Sequence, residues 1–299
     1  MANFEADAAH RDERLRRPSG IRSVQLGDTK VTFVPDGVVL LPPRGWLPET
    51  TDRTWAERPQ YLDASGQFVA TVGALLVEHA GRALLIDAGF GPRSLPADPS
   101  VPHGPGHGGA LLDNLAELGR RPDDIEAVAF THLHSDHTGW AWHPAPGGDR
   151  PAFAHADYLV SEAEWAGHLA RPDGPGAVEG AAVLAPRVRT VAHGQEVFPG
   201  VRVHVGAGHT PGHAEYTVTA GGQRLIAFGD AMHSPVQVDH PEWSVSVDHD
   251  PARAVESRRR LVAELAEPDT IGFGVHFADV VFGRVRHDGP GPAWHPLDA

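Results

Sequence analysis

Cysteine is absent from this chain of 299 residues. That excludes disulfides and any thiolate metal ligand. Lysine is almost absent: Lys30 stands alone, and every other basic side chain is arginine. With the wealth of alanine, glycine and proline, this suggests a GC-rich genome and nothing about chemistry. Long apolar runs are missing as well. Stretches such as Gly73-Ala74-Leu75-Leu76-Val77 are far too short to span a bilayer. Met1 to Arg17 mixes charges without an apolar segment, so no secretory signal is expected and a cytoplasmic location is. Positive charge is in deficit, with a formal net charge of −14 when histidine is neutral. An acidic surface repels phosphate backbones, so nucleic acid is not an expected partner, and neither is a membrane. A hydrophobic content of 41% is ordinary for a globular protein, and the length suits one large domain or two small ones.

Histidine is plentiful, with 20 residues, and it clusters. The stretch Thr131-His132-Leu133-His134-Ser135-Asp136-His137 follows the apolar run Ala127 to Phe130, which reads as a short buried strand. His132 and His134 are two apart, so on extended backbone they point to one side. Asp136 and His137 follow where the chain is expected to turn, at Thr138-Gly139, and suit a second metal beside the first. Imidazole and carboxylate are good ligands for zinc and its first-row neighbours.

The rest of the chain alternates strands and helices. Residues 1–20 read as an arm or short helix. Val24 to Leu26 and Val31 to Val34 read as strands, with Pro35-Asp36-Gly37 as a further turn. Residues 42–67 have no clear period and read as a loop covering a pocket, with Trp46, Trp55 and Tyr61 as candidate walls. Phe68 to Val77 and Ala83 to Ile86 form a hairpin that runs into Asp87-Ala88-Gly89. Pro92 to Gly108 is a loop, with His103 and His107 as exposed histidines. Gly109 to Gly119 is an amphipathic helix. Ala152 to Val160 is a strand, and Ser161 caps a helix with Glu164 in the box position. Arg171 to Gly180 is a loop, and Val188 to Val197 and Val201 to Val205 are strands. Gly206 to His213 is a tight turn that presents His213, with His209 as a turn residue or a support behind the ligands. A hairpin across Gly221-Gly222 ends at Gly229-Asp230. A surface helix over Asp250 to Glu267 precedes a last strand that ends at His276.

The order His-x-His-x-Asp-His after a strand resembles the signature of the metallo-β-lactamase-fold hydrolases. The Thr210-Pro211-Gly212-His213 turn and the strand ending at Gly229-Asp230 are similar to that family as well. The resemblance covers roughly Val69 to Ala278. It implies an α/β fold, a four-layer αββα sandwich built from two halves, taken here as one domain over residues 1–299. It implies two divalent metal ions, most simply Zn2+, with Mn2+, Fe2+ or Co2+ as alternatives. His132, His134 and His213 would hold one ion, and Asp136, His137 and His276 the other, with Asp230 as the bridge. Asp87 would support the ligands from behind. A hydroxide shared by the ions would attack, and Asp136 would handle the departing group's proton.

Gly229-Asp230-Ala231-Met232-His233-Ser234-Pro235 resembles the branch with methyl parathion hydrolase and acyl-homoserine-lactone lactonases. Other lactonases carry a tyrosine where this chain has His233, so His233 is the candidate to bind the oxyanion in its place. The function implied is hydrolysis of a neutral ester, lactone or phosphotriester. The alternatives are a mononuclear iron persulfide oxygenase, which uses only two histidines and an aspartate on iron, and a non-catalytic scaffold. The expected partner is a small-molecule substrate, with a homodimer as the assembly allowed.

Overall fold

Apolar stretches of strand length divide the chain into two sheets in sequence order. The computed structural model describes residues 10–170, 180–287, 289 and 291–298. Among these, the first sheet takes β1 (Arg22–Leu26), β2 (Thr29–Leu41), β3 (Phe68–His79), β4 (Arg82–Ile86), β5 (Ser94–Leu95), β6 (Gly106–His107), β7 (Ala127–Ala129), β8 (Asp157–Ser161) and β9 (Val188–Val191). The second takes β10 (Glu196–Phe198), β11 (Val201–Val205), β12 (Ala214–Ala220), β13 (Gln223–Ala227), β14 (Thr270–Phe273), β15 (Phe282–Arg286) and β16 (Ala293–Pro296). The first sheet runs β5-β6-β2-β3-β4-β7-β8-β9 with β1 on β2, and the second runs in chain order.

β3 is buried from Phe68 to Val77, a run apolar apart from Thr71, as expected of a strand covered on both faces. One of those faces is the contact between the sheets, where Phe33, Leu75 and Ile86 meet Val203, Tyr216 and Phe273. Behind the first sheet lie helices α1 (Leu111–Glu117) and α2 (Ser135–Trp142), through Leu111, Leu115 and Trp140. Helix α3 (Glu162–Ala170) follows β8. Behind the second sheet lies α4 (Pro251–Leu265), through Leu261, Val262 and Leu265. Helix, sheet, sheet, helix is the expected αββα sandwich. Each sheet holds a parallel pair next to the site, β4 with β7 and β13 with β14. Both pairs therefore end at the same edge of their sheet, and their last residues lead into the histidines and aspartates.

Several local expectations are corrected. Pro35-Asp36-Gly37 is not a turn: β2 continues through it with a bulge against β3. A bulge frees the side chain of Asp36 to point at the loops below. Thr138-Gly139 lies inside α2, where Gly139 packs so tightly that an added Cβ would fall 2.1 Å from the Phe90 carbonyl carbon. The strand expected from Ala152 begins only at Asp157. Val188 to Val197 is two strands, because the chain crosses between sheets there. Residues 42–67 are not irregular: they hold helical turns at Pro43–Trp46 and Asp52–Ala56, the second capped by Thr51. The described part of the arm is helical at residues 10–14 and fixed by buried Arg14. The loop expected at 171–179 lies outside the described residues.

Candidate metal centre

The His132–His137 stretch changes conformation midway. His132 and His134 follow β7, and His134, on extended backbone, is the residue before α2. Asp136 and His137 then sit on the first turn of α2, not in a loop. From the other sheet, Gly229-Asp230 follows β13 and His276 follows β14. Gly229 takes φ 47°, and an added Cβ would fall 2.8 Å from Thr131 Cβ and 2.9 Å from His213 Nε2. Only glycine admits this approach.

The side chains meet in two groups whose ligand-type atoms lie within 4.8 Å of one another. One is His132, His134, His209 and Asp230, and the other is Asp136, His137, Asp230 and His276. Asp230 belongs to both. Its Oδ1 lies 3.1 Å from His137 Nε2 and 3.0 Å from His276 Nε2. Its Oδ2 lies 3.6 Å from His132 Nε2 and 3.3 Å from His209 Nε2. One oxygen faces each group, as a bridging carboxylate requires.

The supporting hydrogen bonds fix which nitrogens face inward. His276 Nδ1 is 2.9 Å from the Thr71 carbonyl oxygen, so it carries the proton and Nε2 faces Asp230. His137 Nδ1 donates to Asp87 Oδ2 at 2.9 Å, with the same result. The Thr131 hydroxyl donates to Asp87 Oδ2 at 2.9 Å and accepts from His132 Nδ1 at 3.1 Å. The inward nitrogens of His132 and His137 and Oδ1 of Asp230 are buried without a hydrogen-bond partner. Lone pairs that converge in a buried space need extra protons or cations between them. Imidazole and carboxylate donors at ligand spacing, with their outer nitrogens braced by carboxylate, hydroxyl and carbonyl, fit divalent ions. Burial drives His132 well below the usual histidine range. Burial opposes ionisation of Asp230, but His137, His276 and His233 outweigh it and hold the carboxyl well below its ordinary value.

A cavity of about 310 Å³ opens over both groups. Its polar floor includes His134, Asp136, Asp230, His233 and His276, and its walls include Val39, Leu41, Trp46, Phe90, Leu95 and Val247. Residues 71–276 match the profile of the Metallo-beta-lactamase superfamily.

The chain belongs to this superfamily. Solved structures of the same fold include AidC, a dizinc quorum-quenching lactonase in complex with its N-hexanoyl-L-homoserine product. It is 21% identical with a TM-score of 0.78, over 95% of this chain and 99% of that one. The hydrolase AbOPH of the beta lactamase superfamily is 27% identical with a TM-score of 0.78, over the same shares. AiiA of B. thuringiensis, with N-decanoyl-L-homoserine at its active site, is 19% identical with a TM-score of 0.64, over 85% of this chain and 94% of that one.

The expected site residues lie together, and the His213 ring centroid is 5.4 Å from that of His132. His213 is buried beside His132, but its Nε2 accepts the backbone N–H of Asp230 at 3.1 Å and its Nδ1 has no partner. His209, expected as a turn residue or as a support behind the ligands, stands in the first group. Its Nδ1 bonds Asp248 Oδ1 at 3.0 Å, and its Nε2 lies 3.2 Å from His134 Nδ1. Burial lowers the basicity of His209, but Asp230 and Asp248 together bring it up to about 9. Asp248 is anchored in turn by the buried Arg258, whose Nη1 lies 3.2 Å from its Oδ2.

His233, the candidate oxyanion donor, lines the cavity floor, and its Nδ1 is buried without a hydrogen-bond partner among the described residues. Its Nε2 bonds Asp230 Oδ2 at 3.0 Å, its ring stacks on His276 at 5.3 Å, and Trp46 meets it edge-on at 5.0 Å. Of the three expected wall aromatics, Trp46 alone lines this cavity. Trp55 packs on Phe68, and Tyr61 borders smaller cavities behind the site. His107 is exposed as expected, but His103 is half-buried in the cavity wall.

Sequence reasoning also missed Glu164 as more than a helix-end residue. Its N–H does bond Ser161 Oγ at 3.1 Å, as a capped start requires. Its carboxylate accepts from Leu133 N at 3.1 Å, Thr210 Oγ1 at 2.7 Å and Gly212 N at 3.0 Å, tying the two histidine loops together. An acid at the third position of a helix that directly follows a strand was the only signal available.

Proposed function

We propose that this superfamily member is a metal-dependent hydrolase that uses two divalent ions, zinc foremost, on a neutral ester, lactone or phosphotriester. The observation that carries the reading is Asp230, whose two oxygens face two separate donor groups beneath one cavity. His132, His134 and a histidine of the 209–213 turn serve the first position, and Asp136, His137 and His276 the second. Bound ions at such a pair supply a water of lowered pKa and polarise a carbonyl or phosphoryl oxygen.

The chain's own residues supply the rest. Asp136 is on the cavity floor and a quarter exposed, so it is placed to give a proton to the departing oxygen. His233 donates to Asp230 and holds the bridging carboxylate in place; in this arrangement its inward nitrogen is not available to the substrate. The walls around Trp46, Phe90 and Leu95 exclude water from one side and suit an acyl chain, aryl group or lactone ring. The likeness to AidC and AbOPH supports the reaction class. No helix among the described residues is long and apolar enough to cross a membrane.

The net charge of −14 disfavours polyanions, whose capture it would slow at low salt. The test compares kcat/KM for a neutral lactone, an aryl ester and a phosphotriester with that for an anionic phosphate monoester. We expect a neutral substrate to lead at every salt concentration. A preference for the monoester that grows as salt is lowered would overturn the substrate class.

A further inference from the structure

The superfamily match stops at residue 276, yet the turn that follows it is held by a segment from outside the match. Ala278 has φ 46°, a left-handed conformation that residues with a Cβ seldom keep unless their surroundings impose it. The next residue, Asp279, is 1% exposed and is gripped by the N-terminal arm. Arg22 Nη2 reaches its Oδ1 at 2.6 Å, and Arg17 Nη2 its Oδ2 at 2.9 Å. The Ser19 hydroxyl adds a contact to Oδ1 at 3.2 Å. Arg14 binds the backbone on both sides: its Nη2 donates to the Asp279 carbonyl at 2.6 Å, and its own carbonyl accepts the Asp279 N–H at 3.1 Å.

The hold extends to His276. Thr71 Oγ1 donates to the Ala278 carbonyl at 3.1 Å and accepts the Ser19 N–H at 3.2 Å. The Thr71 carbonyl takes the Nδ1 proton of His276, which points its Nε2 at Asp230. Leu15 of the same arm lines the small cavity behind the His233 and His276 rings.

We propose that the N-terminal arm is a positioning strap for the second metal position: through Asp279 it holds the Ala278 turn, and so fixes His276. This rests on the two-ion reading. Asp279, Arg14 and Arg22 touch no ligand atom of the ions; they act through the turn.

The experiment is calorimetric titration of the metal-free full-length chain with Zn2+, in wild type, Asp279→Asn and the double variant Ala278→Gly/Asp279→Asn. Loss of a residue that orients a ligand costs about 10–100-fold in metal affinity. That weakening is expected at one of the two binding events in Asp279→Asn, with the other unchanged. Glycine takes positive φ without strain, so the double variant should recover much of the lost affinity. A generally damaged fold would not recover this way. If Asp279→Asn fails to fold, Arg22→Gln, which leaves Arg14 and Arg17 in place, gives the same reading with a smaller loss. Two unchanged events in the variants, or equal weakening of both without recovery by glycine, would overturn the strap. Wild-type protein that takes up no second ion would instead overturn the two-ion reading itself.

Discussion

The two halves of the sandwich build the same site by different means. The first half places His132, His134, Asp136 and His137 on six consecutive residues, and Asp87 alone braces both His132, through Thr131, and His137. The second half delivers its residues one at a time, each from a different strand end and each with its own support. Asp248 and Arg258 hold His209, the tight Gly229 turn places Asp230, and Thr71 orients His276. A dense motif fixes its own geometry through a few local dihedrals. Scattered ligands depend on tertiary contacts, and each is as reliable as its brace. The motif residues should therefore be the robust part of both metal positions, and the residues delivered singly should be the sensitive ones.

Asp230 is the one residue on which both halves converge, so it gives the largest effect. Asp230→Asn removes the negative charge that lets several donors and two cations share one space. We expect turnover to fall by orders of magnitude and metal content to drop toward zero, with the circular dichroism spectrum unchanged. His276→Ala should instead retain one ion, held by the intact first group. Equal metal loss in the two variants would erase the distinction between the halves, and full activity in Asp230→Asn would remove it as the bridge.

The first half has a weak point of its own, outside the motif. Asp36 is buried and accepts from Phe90 N at 2.7 Å, Gly91 N at 2.9 Å, Gly109 N at 3.0 Å, Leu111 N at 2.9 Å and Trp140 Nε1 at 2.8 Å. These donors belong to the loop after Asp87, the start of α1 and helix α2. Asp36→Ala would leave them buried and unpaired, at a cost of about 3–5 kcal/mol in unfolding free energy. Urea unfolding measures it. A loss of under about 1 kcal/mol, the scale of an ordinary surface change, would show that water replaces the carboxylate there.

What the sequence disclosed follows the same division. The motif residues lie together and were read together, and strand ends at Asp87, Asp230 and His276 followed from apolar runs that stop at them. Asp36 was hidden because a proline and a glycine flank it, which is the signal of a turn, and a bulge uses the same residues. Asp279 and its arginines were hidden because their partners are over 250 residues apart in the chain. His209 and His213 share one turn, and residue type alone does not tell which ring a tertiary neighbour will aim. Glu164 read as a helix-end acid, and Asp248 drew no reading, because nothing local marks a carboxylate that braces another loop.

The smallest effect expected concerns helix α4, which carries two arginines that treat their acids differently. Arg258 and His209 hold the buried Asp248 carboxyl below its ordinary value against the cost of burial. Two residues along, Arg260 reaches the buried Glu215 of β12 but is itself 30% exposed and shared with Glu264. Here burial prevails and pushes the Glu215 carboxyl up to about 7, from 4.5 in an unstructured chain. Between these values the folded protein keeps a proton that the unfolded chain has released. Stability from this group is therefore complete below pH 4.5 and declines as pH rises to about 7, then levels off. The decline is on the order of 3 kcal/mol. Glu215→Gln keeps the neutral form at every pH. Relative to wild type it should gain stability progressively from mild acid to neutrality, read from urea unfolding at a series of pH values. A constant offset across the series would mean that Arg260 keeps Glu215 ionised throughout, and that the two arginine pairs of this helix behave alike.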